Sequence, residues 1–305
     1  MSTVSPREEK TALGVGAMAL AVLFFTCIDT SAKWLILAGL PALQVVFARY
    51  AGHFIVSLIV FLPREGLAAF RSNSPKWQLL RATFLLGSTV LNFTALRYLP
   101  ITITTTIMFA GPIVVTLMSI PILGEQVGIR RIAAVCTGFL GVLVVMQPWG
   151  AEFHPAMFLS IAALTSAALY FVMTRMLAGV ETNATSQLWS SGLAMVCIAP
   201  FALPGWVWPT SALDLGVLVI IGVFGAMGHT VATYAHRLAD ASILAPVVYV
   251  QLLFASAAGY LVFNALPTIW TVTGGLIIIG AGIYIWHRER QKVGRRAKVP
   301  TRESA

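Results

Sequence analysis

Asp29 and Lys33 stand in the stretch FFTCIDTSAKWLILAG, Phe24 to Gly39, inside an apolar run long enough to cross a bilayer. They are spaced i, i+4 with the acid first, which puts both on one helix face in the favourable order for an ion pair. A charge near the bilayer centre costs at least about 2.5–3.5 kcal/mol, so such residues are kept for pairing or for function. Counted from Ala12 at about 1.5 Å per residue, Asp29 lies some 25 Å in, toward the far side of the membrane. Two readings stand. Lys33 and Asp29 line an outer vestibule and meet the carboxylate and ammonium of a zwitterionic solute. Alternatively, Asp29 is bridged to Lys33 or to Arg49, with Lys33 snorkelling outward.

The elements that must hold these charges follow from composition. The chain has 305 residues, 58% hydrophobic and 10% charged, with mean hydropathy +0.86. A soluble domain carries roughly 25% charged residues, so the sequence is that of an integral membrane protein. Ten apolar runs are long enough for helices: Ala12–Ile36, Ala42–Leu62, Ala82–Leu99, Ile101–Leu123 and Ile132–Pro148, then Pro155–Thr174, Gln187–Leu203, Leu215–Ala235, Ser242–Phe263 and Ile269–Trp286. Lipid cannot satisfy exposed backbone groups, which selects helices over open strands. The expected fold class is all-α. Cys27, Cys136 and Cys197 fall inside apolar runs and read as small packing residues.

Ten spans put both termini on one side. If that side is cytoplasmic, every basic residue except Lys33, Arg49 and Arg97 is interior, Arg81 included. This asymmetry accounts for the net charge of +9 without nucleic acid. The tail RERQKVGRRAKVP could also meet anionic headgroups of membrane lipids. No cleavable leader is evident. The expected location is the bacterial inner membrane, with both termini cytoplasmic.

The segment ALRYLPITITTTIMFAGPIVVTLMSIPILGE, Ala95 to Glu125, aligns at a shift of 140 residues with AHRLADASILAPVVYVQLLFASAAGYLVFNA, Ala235 to Ala265. Arg97 falls on Arg237. Five spans per half is odd, so the second half enters the membrane inverted, a common build for secondary transporters. With FARY at Phe47–Tyr50, AALYFVMTRMLA at Ala167–Ala178 and the ending GGLIIIGAGIYIWHRER, the chain resembles the drug/metabolite transporter superfamily with two EamA-type repeats. The resemblance covers nearly all of Ala12 to Arg290. It implies ten transmembrane helices as two inverted repeats, 12–148 and 155–287, followed by a basic cytoplasmic tail, 288–305. It also implies a central cavity lined by spans one, three, four, six, eight and nine. The general look is nearest to bacterial exporters of amino acids, aromatic ones included. Glu125 fits the first repeat, whereas its counterpart is Ala265.

On those spans the polar and adaptable side chains are Ser88 and Asn92, Thr104, Thr105 and Met108, Thr165, Ser166 and Tyr170, His229 and Tyr234, and Tyr249 and Gln251. Singly, each suits helix packing. Together with Asp29 and Lys33, the set Ser88, Asn92, Thr105, Met108, Ser166, Tyr170, His229, Tyr234 and Tyr249 suits an amphipathic solute. His229 reads either as a substrate or proton contact or as a packing residue. Arg49 and His53 sit on span two, which the resemblance makes peripheral, so both read as structural. Gly138, Gly141, Gly274, Gly275, Gly280 and Gly282 suggest that spans five and ten pack closely, with Gly280 as the sensitive position. Pro112 and Pro246 interrupt spans four and nine.

No HExxH, GxGD or P-loop motif occurs, which argues against an intramembrane enzyme. No ring of charges suggests a channel filter. The expected function is secondary transport of an amino acid by alternating access, without a cofactor or metal. Riboflavin or a drug is the alternative solute. One chain holds both halves, so a monomer is compatible with function.

Overall fold

A computed structural model describes residues 11–111, 113, 114, 118, 129–147, 153–177, 179–238 and 244–296. Pro112 and Glu125 lie outside them. The described residues are helical or turn, with no strand: α1 Thr11–Leu37, α2 Ala42–Glu65, α3 Pro75–Leu96, α4 Ile101–Met108 and α5 Ile129–Met146, then α6 Ala156–Leu177, α7 Asn183–Ala202, α8 Ala212–Leu238, α9 Gln251–Phe263 and α10 Ile269–Arg296. Short 3-10 turns at Gly66–Phe70 and Ala245–Val250 follow α2 and precede α9.

Local sequence sets the boundaries. Pro41 and Pro100 stand just before α2 and α4, and Pro75 opens α3 behind Ser74. Proline fits a helix start because the first turn has no partner for its missing N–H. Thr182 caps α7 by accepting from the Thr185 amide. Pro246 lies in the 3-10 segment between helical Leu244 and α9, so the α-helix of this span is interrupted there, as expected.

Five segments are long and apolar enough to cross a membrane, within α1, α2 with its following turn, α3, α6 and α8. Shorter apolar stretches lie in α5, α9 and α10. Helix α7 is more polar because Thr185, Gln187, Ser190 and Ser191 are buried against neighbours.

Two expectations need correction. Helix α3 begins at Pro75, not Ala82, so Arg81 is a helix residue and is 1% exposed, not a loop cation. Helix α2 is not peripheral: it buries Arg49, Tyr50 and His53 and packs against α7 and α8.

The packing between the first five helices and the last five is paired. Helix α1 lies on α8 and α3 on α6; α2 meets α8 and α3 meets α7; α2 meets α7, α4 meets α9 and α5 meets α10. Each of these contacts reappears when the first five helix numbers are exchanged for the last five.

Glycines fix two of these contacts. On α8, Gly222, Gly225 and Gly228 are spaced by three, which swings the small face by about 60° per step. A Cβ at Gly222 would lie 2.5 Å from Gly52 Cα on α2, and one at Gly228 would lie 2.9 Å from the Phe25 ring on α1. Helix α8 therefore nests against α2 and then against α1. The expected approach of α5 and α10 is also present: a Cβ at Gly141 would lie 2.9 Å from the Gly274 carbonyl. Gly280 is not the sensitive position, because a side chain there meets nothing within 4 Å.

Candidate functional site

Helix α3 carries a polar stripe along one face: Gln78 and Arg81, then two turns on Ser88 and Thr89, then Asn92, ending at the Leu96 carbonyl. Over about 27 Å, that is nearly the full thickness of a bilayer core. Gln78, Arg81, Ser88 and Thr89 are buried, so this face looks into the protein.

At the stripe's C-terminal end, Lys33 is buried and its Nζ donates to the carbonyls of Leu96 (3.2 Å) and Leu99 (2.6 Å). The same ammonium lies 5.6 Å from the centre of the Phe263 ring. It is not paired with Asp29. Instead, Asn92 Nδ2 donates to Asp29 Oδ1 at 3.0 Å. The expected neutral pair is thus replaced by two separate solutions. The lysine caps carbonyls at a helix C-terminus, where a cation is favoured, and the aspartate takes an amide. Beside them Trp34 Nε1 donates to Asp214 Oδ1 (2.7 Å), joining α1 to the start of α8. An open cleft of about 420 Å³ lies there, lined by Trp34, Leu37, Ala38, Asp214, Val262 and Phe263.

One turn further in, Arg49 of α2 reaches the stripe. It is 4% exposed, and its Nη1 donates to Thr89 Oγ1 at 3.1 Å. Tyr50 shares that hydroxyl at 2.7 Å. Arg49 Nη2 lies 3.0 Å from His229 Nε2. A guanidinium can only donate, so this His229 nitrogen accepts, and the ring carries its proton on Nδ1. Nδ1 lies 3.4 Å from the Tyr170 hydroxyl. Tyr170 also accepts from Arg81 Nη2 at 3.1 Å, and Arg81 lies 4.8 Å from its ring centre. Arg49, His229, Tyr170 and Arg81 therefore form one chain of contacts between two buried cations.

Arg81 is well held. Its Nε donates to Thr174 Oγ1 (2.7 Å), and its Nη1 to Ser190 Oγ (2.7 Å) and the Ser186 carbonyl (3.1 Å). His53 stacks on His229 with ring centres 5.7 Å apart and planes 7° apart. Its Nε2 bonds Gln187 Oε1 at 3.1 Å. Past Gln78, Glu181 Oε1 accepts from Ser72 Oγ (2.6 Å) and the Ser74 amide (2.8 Å), closing the other end.

The residues expected at the site divide into three groups. Asp29, Asn92, Tyr170 and His229 are linked by hydrogen bonds into this file, and Ser88 lies buried on its α3 face. Ser166 stands opposite Gly87, whose Cβ would lie 3.6 Å from its Oγ. Met108 and Tyr249 belong to a separate apolar cluster with Phe109, Val145 and Ile278, near buried Thr105. Tyr234 projects outward at 47% exposure, because neighbouring Thr233 takes the inward position and bonds the His229 carbonyl and Gln187.

Arg49 and Arg81 carry most of the bonds in the file, and the sequence reading assigned neither to the site. The signal for Arg81 was Ser74–Pro75, a helix start that extends the third run backward over Gln78 and Arg81.

Comparison with known proteins fits this architecture. The model of the EamA-like transporter family matches residues 12–147 and again 154–286. An S-adenosylmethionine uptake transporter of Rickettsia bellii is 26% identical, over 93% of this chain and 97% of its own length. A riboflavin transporter of Rhizobium johnstonii is 29% identical, over 96% and 97%. A pseudopaline exporter of Pseudomonas aeruginosa is 25% identical, over 81% and 86%. One crystal structure, 19% identical, shares the fold with a TM-score of 0.63 over 90% of this chain and 96% of its own. The chain belongs to the EamA-like transporter family, and it is a multi-pass membrane transporter of small metabolites, not an enzyme.

Proposed function

We propose that the chain exports an amphipathic, charged metabolite across the bacterial inner membrane, first of all an amino acid, including aromatic and other apolar ones. The observation that carries this reading is the buried polar file along α3, fed by both halves of the chain. It offers an acid and an amide at one end, two guanidiniums along its length, and Phe25 beside His229. An amino acid presents the matching groups: an ammonium, a carboxylate and an apolar side chain. The methionine moiety of the solute named for the Rickettsia relative has the same head group.

The mechanism is alternating access by two inverted halves, 12–148 and 155–287, rocking about the file. The twofold match of the family model and the paired helix contacts support this division. Both termini and the basic tail, 288–305, are cytoplasmic, in keeping with the placement of basic residues. A monomer suffices. The substrate set is Asp29, Ser88, Asn92, Ser166, Tyr170 and His229, with Arg49 and Arg81 added. Lys33 acts on the closure of the outer end. Thr105, Met108 and Tyr249 line the path only where α4 and α9 move.

The Asn92 amide can donate to Asp29 in either protonation state, and the reading taken is transport down the solute gradient without proton coupling. Counterflow into proteoliposomes tests this with amino acids, S-adenosylmethionine, riboflavin and sugars, with and without a pH gradient. L-phenylalanine or L-methionine should exchange, and sugars should not. Exchange of riboflavin alone would replace the amino acid by the second reading. Stimulation by the pH gradient that disappears in Asp29→Asn would replace facilitation by proton coupling.

A further inference from the structure

The donor accounting around Arg49 leaves an opening. Nη1 and Nη2 are used, but the buried Nε has no partner, and neither has the buried Nδ1 of His53. Both face Gly225. A Cβ built there would lie 3.7 Å from Arg49 Cγ and 3.7 Å from His53 Nδ1, in ordinary contact, so the glycine leaves about a methyl group of space beside them. Among the described residues no carboxylate hydrogen-bonds Arg49 or Arg81; Asp29, bonded to Asn92, acts on Arg49 through space without filling its Nε–H. Two guanidiniums thus lie in the protein interior without a hydrogen-bonded counter-charge. Buried cations demand one, and an unpartnered N–H on such a cation is a costly vacancy.

The geometry points to Arg49 as the seat of an acidic group, carboxylate or phosphate, on the transported solute. The acid takes the Nε–H edge, where a planar guanidinium gives a carboxylate two parallel charge-assisted bonds. His229 yields Nη2 as the acid arrives. It remains bonded to Tyr170, and so the arrival is relayed to Arg81 and to α3. Gly225 leaves the approach to this edge free of a side chain. This assignment rests on the transport reading but sets the solute's charge class where that reading sets only its kind.

The test is equilibrium binding to full-length protein in nanodiscs, with matched acid and neutral pairs. The pairs are N-acetyl-L-phenylalanine against its amide, and riboflavin 5′-phosphate against riboflavin. At least one acid should bind about tenfold more tightly than its neutral partner, the size of one charge-assisted bond. Arg49→Gln should remove that preference. Gly225→Ala, whose methyl fits without a clash, should weaken acid binding by about the same factor at unchanged melting temperature. It carries the test if Arg49→Gln does not fold. Equal binding within both pairs, absence of binding by all four probes, or an acid preference that survives both substitutions would overturn the assignment. A preference for N-acetyl-L-phenylalanine with no counterflow of L-phenylalanine would keep the Arg49 seat and remove the amino acid reading.

Discussion

The interface of α2, α3, α6 and α8 and the interface of α5 with α10 are both tight, by opposite means. The first is a lattice of hydrogen bonds around Arg49, His229, Tyr170 and Arg81. The second is dry, with Gly141 against Gly274 and Val145 and Ile278 filling the rest. Hydrogen-bonded groups can exchange one partner for another, including a solute's. Close-packed carbon has no alternative partner and resists sliding. Under the proposed function, this contrast places the chemistry at the first interface and the joining of the two halves at the second.

The comparison can be broken at its tightest polar-side contact. Gly222→Leu forces atoms into the Gly52 backbone, which cannot yield as a flexible side chain would. Folded protein recovered as a single peak from size exclusion should fall to a small fraction of wild type. Normal recovery would show that α2 and α8 can separate without loss of the fold.

Arg81→Met comes next. It removes the charged donor to the Thr174 and Ser190 hydroxyls and the Ser186 carbonyl, which keep only the Thr174–Tyr170 and Ser190–Ser186 bonds, at about 1.5–3 kcal/mol for hydrogen bonds to a charged group. Melting temperature should drop by several degrees, and counterflow should be lost in the protein that remains folded. Retained transport would move the working site away from the lattice.

Tyr249→Phe should have the smallest effect. Its hydroxyl is buried without a partner beside Phe109 and belongs to the apolar cluster. Removing an orphaned polar atom is near neutral or stabilising, within about 1 kcal/mol. A large loss of transport with unchanged melting temperature would bring α9 into the substrate path and sharpen the division differently.

The spans and their boundaries were largely legible, because apolar length is a one-dimensional property of sequence. Asp29, Asn92, Tyr170 and His229 stood out as polar residues in apolar runs. Arg81 did not: at the edge of a run, an arginine reads as a loop cation, and only its partners on α6 and α7 mark it as interior. Arg49 was visible but assigned to a peripheral helix, since no local pattern says which neighbour a helix meets. The Asp29–Lys33 pair failed for a related reason. Spacing gives the face they share, yet Leu96 and Leu99 offered the lysine carbonyls that no helix-local count includes. The three-residue spacing of the glycines on α8 is plain in the sequence, but the helices that they let approach are not.

Lys33 serves as a borrowed end-piece for α3, supplied by another helix. Whenever α1 leaves that position, the Leu96 and Leu99 oxygens lose their donor together, and Phe263 loses its cation. Oxygens so exposed need replacement donors at once, and water is the only abundant source. Parting of the helices at this end and its flooding by solvent must therefore be a single event.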